Sequence, residues 1–132
     1  LLSLIDILVL DSREAATLAG IEITNLKSAR IATGLLLKHG VRQAVLVHMK
    51  SRFLLAATNG GTRTLEAPRD YQLIDASAMD DTLAGVFAGC HVMGMDPERA
   101  AEIAYAAANL CGSRFGAHFS IPSEEELAEL MA

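Results

Sequence analysis

The 132-residue sequence has no tryptophan, two tyrosines, four phenylalanines and two cysteines. Hydrophobic residues nevertheless make up 52% of the chain, so its apolar content is mainly aliphatic side chains and alanine. The length is that of about one domain. So much apolar surface in a chain of this size indicates that part of it is covered from outside, by a further domain or a second subunit.

Positive charge is also scarce, with 11 lysines and arginines against 16 acidic residues and a net charge of −5. This balance argues against nucleic acid and anionic membranes as partners.

The apolar first ten residues are interrupted by Asp6 and have no basic leader, so we expect neither a signal peptide nor a membrane span there. Cys90 and Cys111 lack metal-ligand spacing and fit reduced packing thiols in a cytoplasmic protein.

Apolar runs and capping residues predict an α/β fold in a single domain over residues 1–132. The order of strand, helices, strands and helices predicts a partly parallel sheet with an antiparallel edge hairpin, flanked by helices. Strands are predicted at residues 5–10, 44–47, 53–57 and 62–66. Helices are predicted at residues 13–19, 25–39 and 81–92, then after Asp96 and after Ser123.

The most informative stretch is residues 73–89. Leu73 and Ile74 are predicted to end a short strand, and small residues then lead into a helix that starts at Asp81. A carboxylate at such a junction lies beside free backbone N–H groups and the positive end of the helix dipole. An anion such as a phosphate binds in such a place, and an acid there is also suited to accept a proton. The alternative is that Asp81 only caps the helix.

Several segments together form a pattern in a fixed order. Residues 6–16 match a strand followed by an Asn-x-x-Glu motif, and residues 40–47 match a strand that leads to a nucleotide loop. Residues 74–87 match the signature Asp-Thr-x-Gly-Ala-Gly-Asp-Thr-Phe-x-Gly, and residues 113–117 and 120–123 match a C-terminal loop. The set resembles the C-terminal half of a ribokinase-like (PfkB-type) carbohydrate kinase over essentially the whole chain.

This resemblance implies ATP-dependent phosphoryl transfer to a sugar or nucleoside hydroxyl. A family member normally has roughly as many residues again before this point. The resemblance therefore implies a fragment, a split subunit or a remnant, with a homodimer or a missing N-terminal half as the partner.

The resemblance also implies roles for individual residues around the transferred phosphate and its metal ions. Asp81 matches the catalytic base, and Ala78, Met79 and Asp80 match the anion hole. Glu14, with Asp11 in place of the motif's asparagine, would orient Mg²⁺ through water; a solvated first helical turn is the alternative. A monovalent-cation site, which K⁺ would fill, is implied by Asp75, Ser77 and Ser120 with the backbone carbonyls of Cys111, Arg114 and Gly116; two loops that simply cross are the alternative.

For ATP itself, the resemblance implies a site formed by Asp11, Glu14, His48, Lys50, Arg52 and Tyr105. Lys50 and Arg52 either hold a phosphate or are solvated hairpin charges. Tyr105 either stacks on the base or packs in the core. His48, His91 and His118 do not have metal-ligand spacing, and we expect them to be structural.

The departures from the family pattern bear on activity. Asp80 stands where the family has a glycine, and like charges at ~4 Å repel by about 4 kcal/mol at an effective permittivity near 20. Lys50 and Phe53 stand at glycine positions of the nucleotide loop. We therefore expect the isolated chain to be inactive or nearly so. The alternative function is that of a degenerate, non-catalytic kinase-like domain, used as a binding or assembly module.

Overall fold

The chain forms two compact units, Leu1–Glu66 and Ala67–Ala132. This computed structural model describes residues 1–49 and 52–132. Among those residues, no helix has the length and apolar character needed to cross a membrane. The expectation of a single domain over residues 1–132 stays a prediction.

The first unit is a four-stranded sheet with two helices. After a short 3-10 turn at Leu2–Leu4, the elements are β1 (Ile7–Asp11), α1 (Ser12–Ala19), α2 (Leu26–Lys38), β2 (Ala44–Met49), β3 (Phe53–Thr58) and β4 (Gly61–Glu66). The strand order is β1-β2-β3-β4, with β1 parallel to β2 and the other neighbours antiparallel. This sheet confirms the predicted α/β fold with a partly parallel sheet and an antiparallel edge hairpin.

The core of this unit lies where α1 and α2 cover one face of the sheet. Ala15 of α1 and Ala29 and Leu36 of α2 pack in a buried cluster with Val45 and Val47 of β2. All residues of β2 from Ala44 to His48 are buried, as expected for a continuous apolar strand. The first strand begins at Ile7, two residues later than predicted, because Ile5 ends the 3-10 turn and donates its amide to the carbonyl of Leu2.

The second unit consists of α3 (Met79–Val92), α4 (Pro97–Gly112) and α5 (Glu124–Met131) with their connecting loops. Helices α3 and α4 pack against each other, and Leu83, Phe87 and Ile103 are almost completely buried. Asp96 caps α4 and is followed by Pro97 at its first position, as predicted. The predicted capping box of α5 between Ser123 and Glu126 is also present.

The predicted strand end at Leu73 and Ile74 is wrong. Both side chains are exposed, at 49% and 59%, and the residues lie in a loop. The amides of Ile74 and Asp75 donate to the carbonyl of Gly112, at the end of α4. Because these amides bind a helix terminus, they are not part of a strand ladder.

Candidate functional site

In the first unit, the candidate residues lie at the carboxyl ends of the two parallel strands. Asp11 ends β1 and lies opposite His48 of β2 in the parallel register. His48 is only 3% exposed. The carboxyl ends of parallel strands are where α/β proteins usually bind ligands, so the sheet places two of the predicted nucleotide residues next to each other at such an end.

Asp11 and Glu14 form a reciprocal capping box at the start of α1. The Asp11 carboxylate accepts from the amides of Arg13 and Glu14, both at 2.8 Å. The Glu14 carboxylate accepts from the Asp11 amide at 2.9 Å. This arrangement stabilises the first turn of the helix by itself. Both acids therefore have a structural role, and their predicted role toward Mg²⁺ stays a prediction.

The structure gives less support for the other three residues that were predicted to bind the nucleotide, Lys50, Arg52 and Tyr105. Lys50 lies outside the described residues. Arg52 lies in the turn before β3 with a φ of 132°, a backbone conformation that favours glycine. Tyr105 is only 3% exposed on α4, so in this structure its ring offers little surface for stacking on a base.

In the second unit, Asp81 lies in the first turn of α3, but it is not the helix cap. The helix begins at Met79, two residues earlier than predicted, and its N-cap is Ala78, which makes no side-chain cap bond. The simple capping role considered for Asp81 is therefore wrong. Its side chain is exposed and has no hydrogen bond or ion pair to another residue that the structure describes. The carboxylate is thus open to a ligand at the positive end of the helix.

The predicted anion hole is partly closed. The Met79 amide donates to the carbonyl of Ala76 at 3.2 Å, so this amide is already occupied. The side chains of Ala78 and Met79 are buried, each at 5% exposure. Asp80 is half-buried in the first turn of α3, immediately before Asp81. A phosphate approaching this turn would therefore meet two neighbouring carboxylates.

The loop around Asp75 is held by hydrogen bonds to its carboxylate. One oxygen accepts from the amide of Ser77, at 2.9 Å, and from its hydroxyl, while the other oxygen accepts from the amide of Gly116 at 3.0 Å. The bond from the Ser77 hydroxyl, followed by those from the two amides, lowers the pKa of Asp75. The structure thus brings together Asp75, Ser77 and Gly116, three residues of the predicted cation site.

The other predicted cation residues lie around the same loop. Ser120 is buried at 1% exposure, and its hydroxyl lies 3.3 Å from the Cys111 sulfur. The Arg114 side chain forms a two-point ion pair with Glu126 of α5, with one contact at 3.0 Å. Sequence reasoning identified Glu126 only as a capping residue. No spacing rule signals an ion pair between a loop and a helix twelve residues later.

The Glu126 ion pair predicts a pH dependence of stability. The bond from Arg114 and then that from the Ser123 amide lower the pKa of Glu126 from 4.5 to about 2. A carboxylate whose pKa is lowered on folding stabilises the fold fully above its unfolded pKa, and less as the pH falls. Urea unfolding should therefore show wild type more stable than Glu126→Gln above pH 4.5, with the difference shrinking toward pH 2. A difference that grows as the pH falls would contradict this assignment.

No cluster of three or more histidine, cysteine, aspartate or glutamate side chains able to hold a metal ion occurs in the described residues. Cys90 and Cys111 are buried free thiols, in agreement with the expected packing role. Any metal ion at these sites would therefore need ligands from backbone carbonyls, water or a bound phosphate, as Mg²⁺ commonly has in phosphoryl-transfer sites.

Comparison with known families shows which family the chain belongs to. A family model described as pfkB family carbohydrate kinase matches residues 1–124. The chain belongs to the pfkB family. The match includes Asp11, Glu14 and Asp81, and it confirms the resemblance drawn from the sequence motifs.

Curated relatives of this pfkB chain include two ribokinases. The Haemophilus influenzae protein is 29% identical over 131 residues, which cover 99% of this chain and 42% of that protein. The Staphylococcus aureus protein is 32% identical over 131 residues, covering 98% of this chain and 42% of that protein. The pfkB chain thus spans less than half the length of these relatives.

Solved structures give the same result for the fold. Ribokinase from Thermotoga maritima superposes with a TM-score of 0.85 at 25% identity, covering 98% of this chain and 43% of that one. Arabidopsis thaliana ribokinase, complexed with ribose and ATP, gives a TM-score of 0.82 at 28% identity, covering 98% of this chain and 42% of that one. Escherichia coli phosphofructokinase-2 in complex with potassium has only 15% identity and a TM-score of 0.79, covering 99% of this chain and 43% of that one, and shows the fold alone.

Proposed function

We propose that the chain is the ATP-side half of a carbohydrate kinase that transfers the γ-phosphoryl group of ATP to a sugar or nucleoside hydroxyl. The observation that carries the proposal is the carboxylate of Asp81 in the first turn of α3, which is exposed and has no partner among residues 1–49 and 52–132, in a chain of the pfkB family. An ATP-dependent reaction of this kind fits a cytoplasmic protein. The acceptor would be read mainly by residues outside this chain.

In this mechanism, Asp81 takes the proton from the acceptor hydroxyl. The hydroxyl oxygen forms a bond to the γ-phosphorus as the bond from that phosphorus to the bridging oxygen of ADP breaks. The leaving electron pair stays on ADP. The first turn of α3 supports this transfer because the helix dipole favours negative charge at its N-terminus. A positioned base of this kind contributes about a hundredfold or more to the rate.

Metal ions would complete the charge balance around the phosphates. Mg²⁺ would be oriented by Glu14 through water, with Asp11 beside it, and would neutralise charge on the transferred group. Both residues offer hard oxygen donors, so their chemistry fits Mg²⁺, although both already serve the capping box. His48, Lys50, Arg52 and Tyr105 are the further proposed nucleotide residues.

A monovalent cation, which we take to be K⁺, would bind at the cation loop, which we define as residues 111–120. Its ligands would come from Asp75 and Ser77, the Ser120 hydroxyl and the carbonyls of Cys111, Arg114 and Gly116. These donors are all oxygens, and carbonyl oxygens are the groups that replace the hydration shell of K⁺ elsewhere. The hydrogen bond from Gly116 to Asp75 holds the loop against the carboxylate.

A chimera tests the catalytic proposal. The matching 131 residues of Staphylococcus aureus ribokinase would be replaced by this chain carrying Asp80→Gly, and ribose phosphorylation would be measured. We expect activity, with a loss of about a hundredfold or more when Asp81→Asn is added. A folded, ATP-binding chimera whose activity does not depend on Asp81 would remove Asp81 from the mechanism.

The 132-residue chain by itself is expected to have negligible activity. It spans less than half the length of its ribokinase relatives, and Asp80 adds a carboxylate beside the proposed phosphate position. An assay with ATP and ribose, fructose phosphate or a nucleoside should therefore give no product above background. Product formed by the purified chain would overturn this prediction.

A non-catalytic binding or assembly module is the second candidate function. It is favoured by two observations at the start of α3: the occupied Met79 amide and the carboxylate of Asp80. A chimera that binds ATP with Asp80→Gly but stays inactive would support this candidate over the kinase.

The exposed face of α3 supports a partner for either function. Gly85, Gly89, Val92 and Met93 are exposed on this face, and a pocket of about 420 Å³ lies along it. A Cβ atom added at Gly85 or Gly89 would meet no atom within 4 Å. An exposed apolar patch beside a pocket is typical of a surface that another domain or subunit covers. We infer that a missing N-terminal half, or a second copy in its absence, covers this face.

The exposed face predicts binding of an apolar dye and self-association at micromolar concentration. Gly89→Glu should lower the fluorescence of bound anilinonaphthalene sulfonate, because it places a charge in the pocket. Gly34→Glu is the matched control, since Gly34 is an exposed helical glycine on α2 with open space around it. A monomeric mass with no dye binding, or an equal effect of both variants, would argue against the partner.

A further inference from the structure

The cation loop is held in place by polar contacts more than by packing. Phe115 and Phe119 are 82% and 89% exposed, and Ala117 and His118 are exposed as well. These exposed side chains gain little free energy from burial, whereas Cys111 and Ser120 at the two ends of the loop are buried. Between the two ends, the backbone is therefore fixed mainly by hydrogen bonds and ion pairs, and those contacts decide where its carbonyls point.

Two carboxylates hold one short segment of this loop. Asp75 accepts the Gly116 amide at 3.0 Å, and Glu126 binds the guanidinium of Arg114 at two points. Only Phe115 lies between Arg114 and Gly116, the two residues whose carbonyls are proposed cation ligands. The Asp75 contact belongs to the proposed site itself, whereas Glu126 acts from α5.

Glu126 connects the loop to the start of a helix. The oxygen of Glu126 that binds Arg114 at 3.0 Å also accepts the Ser123 amide at 2.9 Å. Because Ser123 is the N-cap of α5, Arg114 is joined to a fixed helix terminus. Charge-assisted two-point contacts of this kind fix orientation as well as distance.

We propose that Glu126 is a positioning residue for monovalent-cation binding: by holding the Arg114 side chain, it fixes the Arg114 and Gly116 carbonyls in the geometry that the ion needs. This inference rests on the cation site of the proposed function. Asp75, Glu126 and Arg114 together carry one net negative charge, which a single monovalent cation balances. Glu126 itself does not touch the ion.

The test compares Glu126→Gln with Glu129→Gln in the purified chain. Glutamine serves as well as glutamate at this capping-box position, so Glu126→Gln keeps the helix start and removes the charged partner of Arg114. Glu129 is exposed on the same helix, and its side chain has no hydrogen bond or ion pair within the described residues. Glu129→Gln therefore removes the same charge without releasing the loop.

Thermal unfolding would be followed as KCl replaces tetramethylammonium chloride at constant ionic strength. Wild type should gain stability as K⁺ is added, and Glu126→Gln should need about tenfold more K⁺ for half of the gain, the usual size of an outer-shell effect on metal affinity. Glu129→Gln should behave like wild type. The unfolding temperature in tetramethylammonium chloride alone shows whether each variant is folded.

The other possible outcomes distinguish the positioning role of Glu126 from the existence of the cation site itself. If Glu126→Gln is less stable in both salts but has the wild-type K⁺ requirement, Glu126 is only structural and the inference is wrong. If wild type does not respond to K⁺, the cation site itself is wrong, and the inference is wrong with it. The chimera assay does not depend on this result, so the kinase proposal is judged separately.

Discussion

Replacing Asp80 with glycine is expected to strengthen the binding of Mg·ATP to the purified chain by about a hundredfold, equivalent to about 2.7 kcal/mol. The negative charge of Asp80 lies in the first turn of α3, next to Asp81, where the phosphates would bind. Like charges at ~4 Å repel by about 4 kcal/mol at an effective permittivity near 20. Asp80 is half-buried and has an interaction partner in the structure. Water and this partner offset part of the repulsion, so we expect a change of about 2.7 kcal/mol rather than the full repulsion energy. Calorimetric titration of both proteins measures the change.

Two further variants show whether the loss of the Asp80 charge causes the expected gain in Mg·ATP affinity. Asp80→Asn removes the charge and keeps the Cβ atom, so it should recover most of the gain if repulsion dominates. Asp70→Gly removes one negative charge from an exposed loop of the same unit and should leave ATP binding unchanged. Equal gains from Asp70→Gly and Asp80→Gly would indicate a net-charge effect. No binding by any variant would favour the non-catalytic module.

Phe87→Ala is expected to lower the free energy of unfolding of the second unit by about 3–5 kcal/mol. Phe87 is 1% exposed on α3, between the buried Leu83 and Cys90, and its ring stacks on His91 with centroids 6.4 Å apart. Truncation removes the largest fully buried side chain among the described residues and leaves a cavity. Because α3 also carries Asp81, the candidate site would be lost together with the fold of this unit.

Phe115→Ala is the matched control. Its side chain lies in the same unit but is 82% exposed, so truncation should change stability by no more than about 0.5 kcal/mol. Urea unfolding followed by circular dichroism measures both variants. Similar effects at the two positions would mean that α3 does not pack around Phe87 as described.

Local sequence signals predicted the elements whose ends are fixed by local contacts. Three helices begin where the sequence predicted them, and each has a capping side chain. The caps are Asn25 for α2, Asp96, followed by Pro97, for α4, and Ser123, with Glu126, for α5. The start of α3 was misplaced by two residues, because its N-cap, Ala78, has no capping side chain. Where a helix end lacks a capping group, the sequence carries little signal for its position.

Long-range contacts account for the other errors. Leu73 and Ile74 have the composition of a strand, but the amides of Ile74 and Asp75 bind the carbonyl of Gly112 at the end of α4. The ion pair from Arg114 to Glu126 likewise joins parts that no helical or strand period connects. Family motifs did place Asp75 with Gly116 in one site, and the structure brings them within hydrogen-bond distance. The ligand roles of these residues stay predictions.

The two outer strands of the sheet differ in a way that matters for production in cells. Within the described residues, β1 has a neighbour on one side only, and its sequence, Ile-Leu-Val-Leu, is uncharged until Asp11. The other outer strand, β4, carries Arg63 and Glu66, and charges of this kind discourage pairing with foreign strands. An apolar edge strand that has no charged side chains can pair with strands of other chains and so promotes aggregation. Leu8 and Leu10 pack in the core of the first unit, whereas Ile7 and Val9 alternate with them and lie outside that cluster. When this chain is produced alone, we therefore expect β1 to limit its solubility, so that a charged residue in place of Ile7 or Val9 would increase the yield of soluble protein.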